Sequence, residues 1–309
     1  MRTFPPARTW PVVVDEGGAA LDTRELSSFA ESCRTSDRHA PFEEHTLLTL
    51  QGQRQVRHAR LIVRERGALM GCAVLSEGLD AWTLELATHP TARNRGIGRA
   101  LLESARGHVA SHGGGPLRHW VHTPSPAVDQ LGSRATVTRT LLILRRCLHT
   151  TLPDAVGAVR SMQPCTDRDA WLQLTNAAFA GHPENGGWQR SDLDWRVDAD
   201  WTDQACWPVV EDGERLLAGV WTKIEPAAAS GELYIVAVDP LAQGRGLGRL
   251  VVADALRRLA ARGCRSAFLY VDADNTPAIR LYRWAGFEQD QVHRCLQEQV
   301  RAASRSLHT

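Results

Sequence analysis

The segment Asp239-Pro240-Leu241-Ala242-Gln243-Gly244-Arg245-Gly246-Leu247-Gly248 opens a long amphipathic stretch. Gly246 and Gly248 let backbone N–H groups approach a ligand with no Cβ in the way. At a helix N-terminus those groups are unpaired and the helix dipole favours an anion. Arg245 and Arg249 add positive charge, so the segment is a candidate pyrophosphate cradle. It lacks the Gly-Lys-Ser/Thr of a P-loop, and no G-x-G-x-x-G opens an N-terminal βαβ unit. A Gly-rich helix start that serves packing alone is the competing reading.

Two further side chains flank this loop. Glu232 lies upstream and Tyr282 downstream, a carboxylate and a phenol. Acylation of an amine needs a base for the ammonium proton, donors for the developing oxyanion and an acid for the leaving group. Glu232 suits the first role and Tyr282 the last. The plain alternatives are a strand-end carboxylate paired with Lys223 and a tyrosine packed in the core.

Elements that position these groups follow from patterning. Asp167–Ala180 has helical spacing of Trp171, Leu174 and Ala178, followed by the loop Gly181–Trp188. Short β-type runs are Cys206–Val210, Leu216–Ile224 and Glu232–Val238, the last two joined as an antiparallel hairpin that faces Lys223 with Glu232. Simple alternation puts Glu232 on one face with Tyr234, Val236 and Val238. A helix over Gly246–Arg262 carries an apolar stripe and stops at Gly263. Ala267–Val271 is another strand, and Asn275 begins a short helix ending near Ala285.

The same frame occurs twice. Arg95–Ala105 (RGIGRALLESA) and Arg245–Ala255 (RGLGRLVVADA) are identical at five of eleven positions, at an offset of 150 residues. Ala87, Pro90 and Ala92 match Ala237, Pro240 and Ala242 at that offset. The first copy adds strands Thr83–Ala87, Leu117–Val121 and Leu141–Leu148 and a helix Gly96–Val109. The reading is a tandem duplication, residues 1–150 and 158–300, with the join in Leu148–Ala158. At the offset of 150, Glu232 maps to Trp82 and Tyr282 to Gly132, or to Leu131 with a one-residue slip. The first copy thus retains a phosphate-type loop and lacks both proton-transfer groups.

With 309 residues, 43% hydrophobic and 23% charged, the chain has an ordinary globular composition. Thirty-six basic residues against 35 acidic ones leave a formal charge of +1, which gives no electrostatic footprint for nucleic acid. No window approaches a membrane span, and Met1–Val14 has no signal-peptide pattern. The seven cysteines form no C-x-x-C pair and the 12 histidines no H-E-x-x-H run, so a reduced cytoplasmic protein without a metal is expected. A duplicated chain suffices as a monomer. Lys223 is the only lysine, and all three tyrosines lie beyond residue 230.

Gln243-x-x-Gly246-x-Gly248 after a strand ending Val-Asp-Pro resembles the acetyl-CoA signature of the GNAT N-acetyltransferase superfamily. Asn275…Ala278…Leu281-Tyr282…Gly286-Phe287 resembles its second motif, and Arg93-x-x-Gly96-x-Gly98 repeats the first. NAAFAGHPENGGW (176–188), Trp221-Thr222-Lys223, Gly231–Tyr234 and YVDADN (270–275) resemble the tandem, mycothiol-forming branch of that superfamily. The resemblance covers nearly all of the second copy and the first only thinly.

It implies an α/β (α+β) fold of two tandem domains, each a mixed, mostly antiparallel sheet flanked by helices. It implies acetyl transfer from acetyl-CoA to the cysteinyl amine of a cysteine–glucosamine–inositol conjugate, with the second copy catalytic. Acetyl-CoA contacts are then expected at Val236, Ala237, Val238, Gln243, Gly244, Arg245, Gly246, Leu247, Gly248, Arg249, Asn275, Ala278 and Arg280. In the first copy they are expected at Leu86, Ala87, Thr88, Arg93, Gly96 and Gly98. Acceptor contacts are expected at Glu184, Lys223, Glu232 and Tyr270, and at Glu44 with Glu43 as its rival. Other readings are a GNAT enzyme for an aminoglycoside, polyamine or protein terminus, and a non-catalytic acetyl-CoA sensor.

Overall fold

The computed structural model describes residues 9–16, 21–37, 40–50, 56–78, 80–122, 126–154, 156–182, 187–199, 201–213, 215–225 and 229–303. These fall into two compact units, one from residues 1–140 with 292–309, the other from residues 141–291.

The first unit holds β1 (Val13–Asp15), α1 (Thr23–Asp37), α2 (Glu44–Leu50), β2 (His58–Glu65), β3 (Ala68–Glu77), β4 (Trp82–Thr88), α3 (Ile97–Ser111), β5 (Gly115–Val121) and α4 (Pro126–Leu131). It also contains the start of β6 (Thr136–Cys147) and the end of β12 (Glu288–Val300). Its strands run β1-β2-β3-β4-β5-β12-β6, antiparallel between β1 and β4 and parallel between β4 and β5. Leu101, Leu102, Ala105 and Val109 of α3 bury against Leu61, Leu75, Trp82 and Leu84 on one face. On the other face Phe29 and Cys33 of α1 meet Ile62, Cys72 and Val74.

The second unit holds the rest of β6, β7 (Arg160–Ser161), α5 (Pro164–Ala178), α6 (Arg190–Val197), β8 (Pro208–Asp212), β9 (Arg215–Glu225), β10 (Ser230–Val238), α7 (Leu247–Ala261), β11 (Ser266–Asp272), α8 (Thr276–Trp284) and the start of β12. Its strands run β6-β11-β10-β9-β8-β7, with β10–β11 parallel and the other pairs antiparallel. Val251, Val252, Ala255, Leu256 and Leu259 of α7 pack on Val220, Leu233, Ala267, Leu269 and Val271. The opposite face is an aromatic core. Trp207 and Trp221 stack at 4.0 Å, and Trp171 meets Trp207 edge-on at 4.8 Å.

Each unit repeats the order strand, loop, helix, parallel strand, as the duplication requires. The units are not consecutive stretches, however. The end of β12 pairs with β5 from Arg294↔Val121 to Val300↔Gly115, while β6 from Leu141 on pairs with β11. A join at Leu148–Ala158 leaves out this exchange of strand ends, which pairing decides and local composition does not.

Two element starts differ from their sequence reading for local reasons. The helix expected from Asp167 begins at Pro164, because proline's fixed φ suits the first helical position. The strand expected from Cys206 begins at Pro208, because Gln204–Cys206 form a single turn whose Ala205 N–H donates to Asp203 at 3.0 Å. Among the described residues no helix is long and apolar enough to cross a membrane.

The aromatic core closes tightly on β9. A Cβ at Gly219 would lie 2.5 Å from Trp171 Cζ3 and 3.0 Å from Val209 Cγ1. Gly219→Ala is therefore expected to cost about 1–3 kcal/mol by overpacking, read as a lowered midpoint in urea unfolding. An unchanged midpoint would contradict this packing.

Candidate active site

β10 and β11 are parallel neighbours only over Ser230↔Ser266, Gly231↔Ala267 and Glu232↔Phe268. Beyond Glu232 the two strands pair no further, while β10 stays paired to β9 as far as Val238↔Ala218. The β10 edge over 233–238, which includes Val236, Ala237 and Val238, thus offers backbone groups to an extended ligand in the manner of an added strand. The split begins at Glu232 and leads to the glycine loop. In the first unit β4 and β5 likewise pair only over Trp82–Leu84, leaving the edge that bears Leu86, Ala87 and Thr88.

A β-bulge interrupts the β10–β9 ladder between Leu233 and Ile235. Tyr234 is the extra residue, and it turns the pattern by one position. Leu233, Val236 and Val238 face α7, whereas Tyr234, Ile235 and Ala237 face the tryptophan core. Glu232 therefore shares its face with Tyr234, Ile235 and Ala237, not with Val236 and Val238 as simple alternation gives. The bulge separates the half-buried Glu232 from the α7 side and aims it into the other layer.

Lys223 stands directly opposite Glu232 across the β9–β10 ladder. Its Nζ lies 4.3 Å from the centre of the Trp201 ring and 3.9 Å from that of Tyr234. The backbone of Thr202 bridges to Lys223, which brings Trp201 alongside β9. Arg196 Nε donates to the Tyr234 hydroxyl at 3.1 Å, and its guanidinium lies 4.4 Å over Trp188. One cation thus sits between two π faces beside a carboxylate, an arrangement that holds an ammonium more tightly than open water does. Trp201 and Tyr234 do not stand out in the sequence as site residues. The WTK…GELY hairpin spacing is the signal that would have found Tyr234.

The loop after β10 follows the expected design in part. The Asp239 carboxylate accepts from Leu241 N at 2.8 Å and pairs with Arg215 at 2.7 Å, fixing the turn. Gly246 caps α7 at φ 79°, and Gly244 has φ 76°. A Cβ on either would meet nothing within 4 Å, so the left-handed φ, and not crowding, is what calls for glycine here, and the loop stands open on that side. Gly248 acts differently. A Cβ there would lie 3.2 Å from Leu281 Cδ2, so this glycine lets α8 pack against α7, the packing role weighed against ligand approach. Gln243, Arg245 and Arg249 are exposed and Leu247 is half-buried. Among the described residues Arg245 and Arg249 have no carboxylate partner, and Arg249 stacks 5.0 Å over Trp284.

The first unit builds the same loop with two of its arginines, Arg93 and Arg95, paired to carboxylates. Gly96 caps α3 at φ 88°, Asn94 takes φ 60° where the second unit has Gly244, and Gly98 packs on Leu131 as Gly248 does on Leu281. Arg93 donates two 2.7 Å bonds to Asp37, and Arg95 pairs with Glu65 at 2.6 Å. The Leu131–Leu281 correspondence fixes Gly132 as the counterpart of Tyr282. The bulge shifts the other comparison: Gly231↔Ala267 corresponds to Trp82↔Leu117 and Glu232↔Phe268 to Thr83↔Arg118. The counterpart of Glu232 is Thr83 rather than Trp82, because the bulge is absent from β4.

Tyr282 lies on α8 within the α7 core, edge-on to Phe287 at 6.0 Å. Burial pushes its phenol well above the ordinary tyrosine range, which keeps the proton on. Asn275 Oδ1 accepts from Ala278 N at 3.2 Å and so caps α8, which leaves its amide N–H₂ to donate. Ala278 is half-buried and Arg280 exposed on the same helix. Tyr270 is 45% exposed on β11. It lies two residues after Phe268, the neighbour of Glu232, on the face away from α7. Glu184 and the Glu44 side chain lie outside the described residues. Glu43 N and Thr46 Oγ1 both donate to the buried Glu85 carboxylate, at 2.8 and 2.7 Å, which anchors the start of α2 to β4.

Comparison with known proteins bears on the whole chain. Residues 169–287 match the family described as Acetyltransferase (GNAT) family, and residues 57–130 the one described as Acetyltransferase (GNAT) domain. The chain is 38% identical over 292 residues to a protein named mycothiol acetyltransferase from Thermomonospora curvata, covering 91% of this chain and 95% of that one. It is 39% identical over 293 residues to the protein of that name from Salinispora arenicola, covering 88% and 93%. A solved tandem GNAT protein from the clavulanic acid biosynthesis pathway shares the fold, with a TM-score of 0.70 at 15% identity over 95% of this chain and all of that one.

Proposed function

The chain belongs to the mycothiol acetyltransferase family of tandem GNAT proteins, and from that membership we propose that it acetylates the cysteinyl amine of a cysteine–glucosamine–inositol conjugate from acetyl-CoA, giving mycothiol. The observation that carries the reading is the near-full-length likeness to proteins of that name, joined to a β10 edge that opens at Glu232 and ends at the glycine loop.

Residues 158–300 act as the catalytic domain. The loop from Gln243 to Arg249 holds the pyrophosphate, the opened β10 edge pairs with the pantetheine amides, and the Asn275 amide donates to the same arm. Ala278 and Arg280 flank it on α8. Glu232 takes the proton from the acceptor ammonium, directly or through water. Once deprotonated, the amine attacks the thioester carbonyl. The new C–N bond forms, the C–S bond breaks, Tyr282 delivers a proton to the departing sulfur, and the nitrogen's second proton returns to the phenolate through solvent. Lys223 and Tyr270 contact the sugar part of the acceptor, with Glu184 and Glu44 as further contacts. Residues 1–150 keep the cradle around Arg93, Gly96 and Gly98 without Glu232 and Tyr282 counterparts, and serve as a scaffold or a second acetyl-CoA pocket without turnover. The enzyme works as a cytoplasmic monomer. Release of CoA thiol on mixing protein, acetyl-CoA and the conjugate tests this reading. No release with any amine would make the chain a binding module.

Lys223 gives a specific expectation. Its compact ammonium fits between Trp201 and Tyr234 and donates in three directions, whereas an Arg fork is planar and longer. Lys223→Arg should raise KM for the acceptor about tenfold, roughly 1.4 kcal/mol of binding, with KM for acetyl-CoA unchanged. An unchanged acceptor KM would return this lone lysine to coincidence.

A further inference from the structure

We propose that Glu16, His108 and His112 form a binding site for a first-row divalent cation, zinc foremost, that ties the end of β1 to the last turn of α3. The three side chains offer one ligand atom each, all within 4.8 Å of one another. His108 Nδ1 and the Glu16 carboxylate are already 3.7 Å apart, close to the ligand spacing of about 3.4 Å that ~2.1 Å metal bonds give in a tetrahedron. A bound cation draws in the exposed Glu16, the donor with most freedom to move.

Several features of the fold prepare the two histidines. They stand four residues apart, His108 in the last turn of α3 and His112 at its C-cap, with rings stacked 4.1 Å apart and 23° from parallel, so binding needs a turn of the His108 ring to bring both lone pairs onto one cation. His112 Nδ1 lies 2.8 Å from the His108 carbonyl oxygen, the hydrogen bond of a protonated Nδ1. That bond leaves the Nε2 lone pair for a metal and fixes the ring, as outer partners of ligand histidines do. Trp82 lies edge-on to His108 at 5.7 Å and 6.1 Å from His112, walling one side. His108 occupies the last turn of α3 and His112 its C-cap, where the dipole favours a cation. Two imidazoles and a carboxylate, with a position left for water, are a donor set that zinc accepts.

The site has a structural task. β1 has three residues and pairs only with β2, with Val13 and Val14 51% and 45% exposed. A cation bridging Glu16 to α3 would fasten this short edge strand.

The test uses the full chain, stripped with chelator and titrated with Zn²⁺ by calorimetry, with thermal unfolding read alongside. Wild type should bind one Zn²⁺ per chain and gain several degrees in Tm at hundredfold excess over Kd. Glu16→Gln, at an exposed position, should weaken binding at least tenfold with metal-free Tm unchanged. His112→Ala should abolish binding. The exposed thiols Cys147 and Cys165 are the rival ligands. A Cys147→Ser/Cys165→Ser variant that binds as wild type does supports the histidine site. Loss of binding there, or undiminished binding in both Glu16→Gln and His112→Ala, overturns it.

Discussion

Glu232→Gln should lower kcat by about a hundredfold to a thousandfold, within the range that one general base contributes. Gln preserves shape and can still hydrogen-bond, so the β10 backbone, the bulge at Tyr234 and the cross-strand position opposite Lys223 remain. KM for acetyl-CoA should hold, because the glycine loop and the open edge lie beyond Glu232. Without the base only acceptor already present as free amine can react, so the loss should be smallest at alkaline pH. Near-normal turnover across pH would remove Glu232 from this role. An equal loss with collapsed thermal stability would make it a structural carboxylate instead.

Tyr282→Phe is the second large effect, about tenfold to a hundredfold in kcat. The phenol sits among Ile279, Ala285 and Phe287, an apolar setting that suits a phenylalanine ring. Unfolding stability should therefore change by less than about 1 kcal/mol, the net worth of a typical hydrogen bond. Burial holds the phenol protonated throughout the working range, so the loss should be uniform from neutral to mildly alkaline pH. That pattern separates a proton donor from a packing residue. A packing role predicts kcat and stability both retained, and that result would contradict the assignment.

Much of this was legible in residue spacing. The offset of 150 between Arg95 and Arg245 predicts two copies, and both loops cap their helices with a left-handed glycine. The hairpin that brings Lys223 opposite Glu232 also follows from alternation and a small-residue turn. What local pattern cannot carry is pairing. The bulge at Tyr234 arises from the β9 partner and reverses which neighbours Glu232 keeps, so counting back 150 residues reached Trp82 instead of Thr83. The exchange of β6 and β12 strand ends depends on contacts over 150 residues apart, such as Cys295 with Trp120. Gly248 looked like a ligand glycine because sequence does not reveal the nearness of Leu281. His108 and His112 have a readable four-residue spacing, but their third partner, Glu16, is remote in the chain.

The most direct test of the central claim is a comparison of kcat/KM with acetyl-CoA across acceptor amines, with the acetylated position fixed by mass spectrometry. The account predicts acetylation of the cysteinyl nitrogen of the cysteine–glucosamine–inositol conjugate, at least a hundredfold more efficiently than of an aminoglycoside, a polyamine or a peptide N-terminus. Failure to acetylate that nitrogen while another amine is turned over would contradict it.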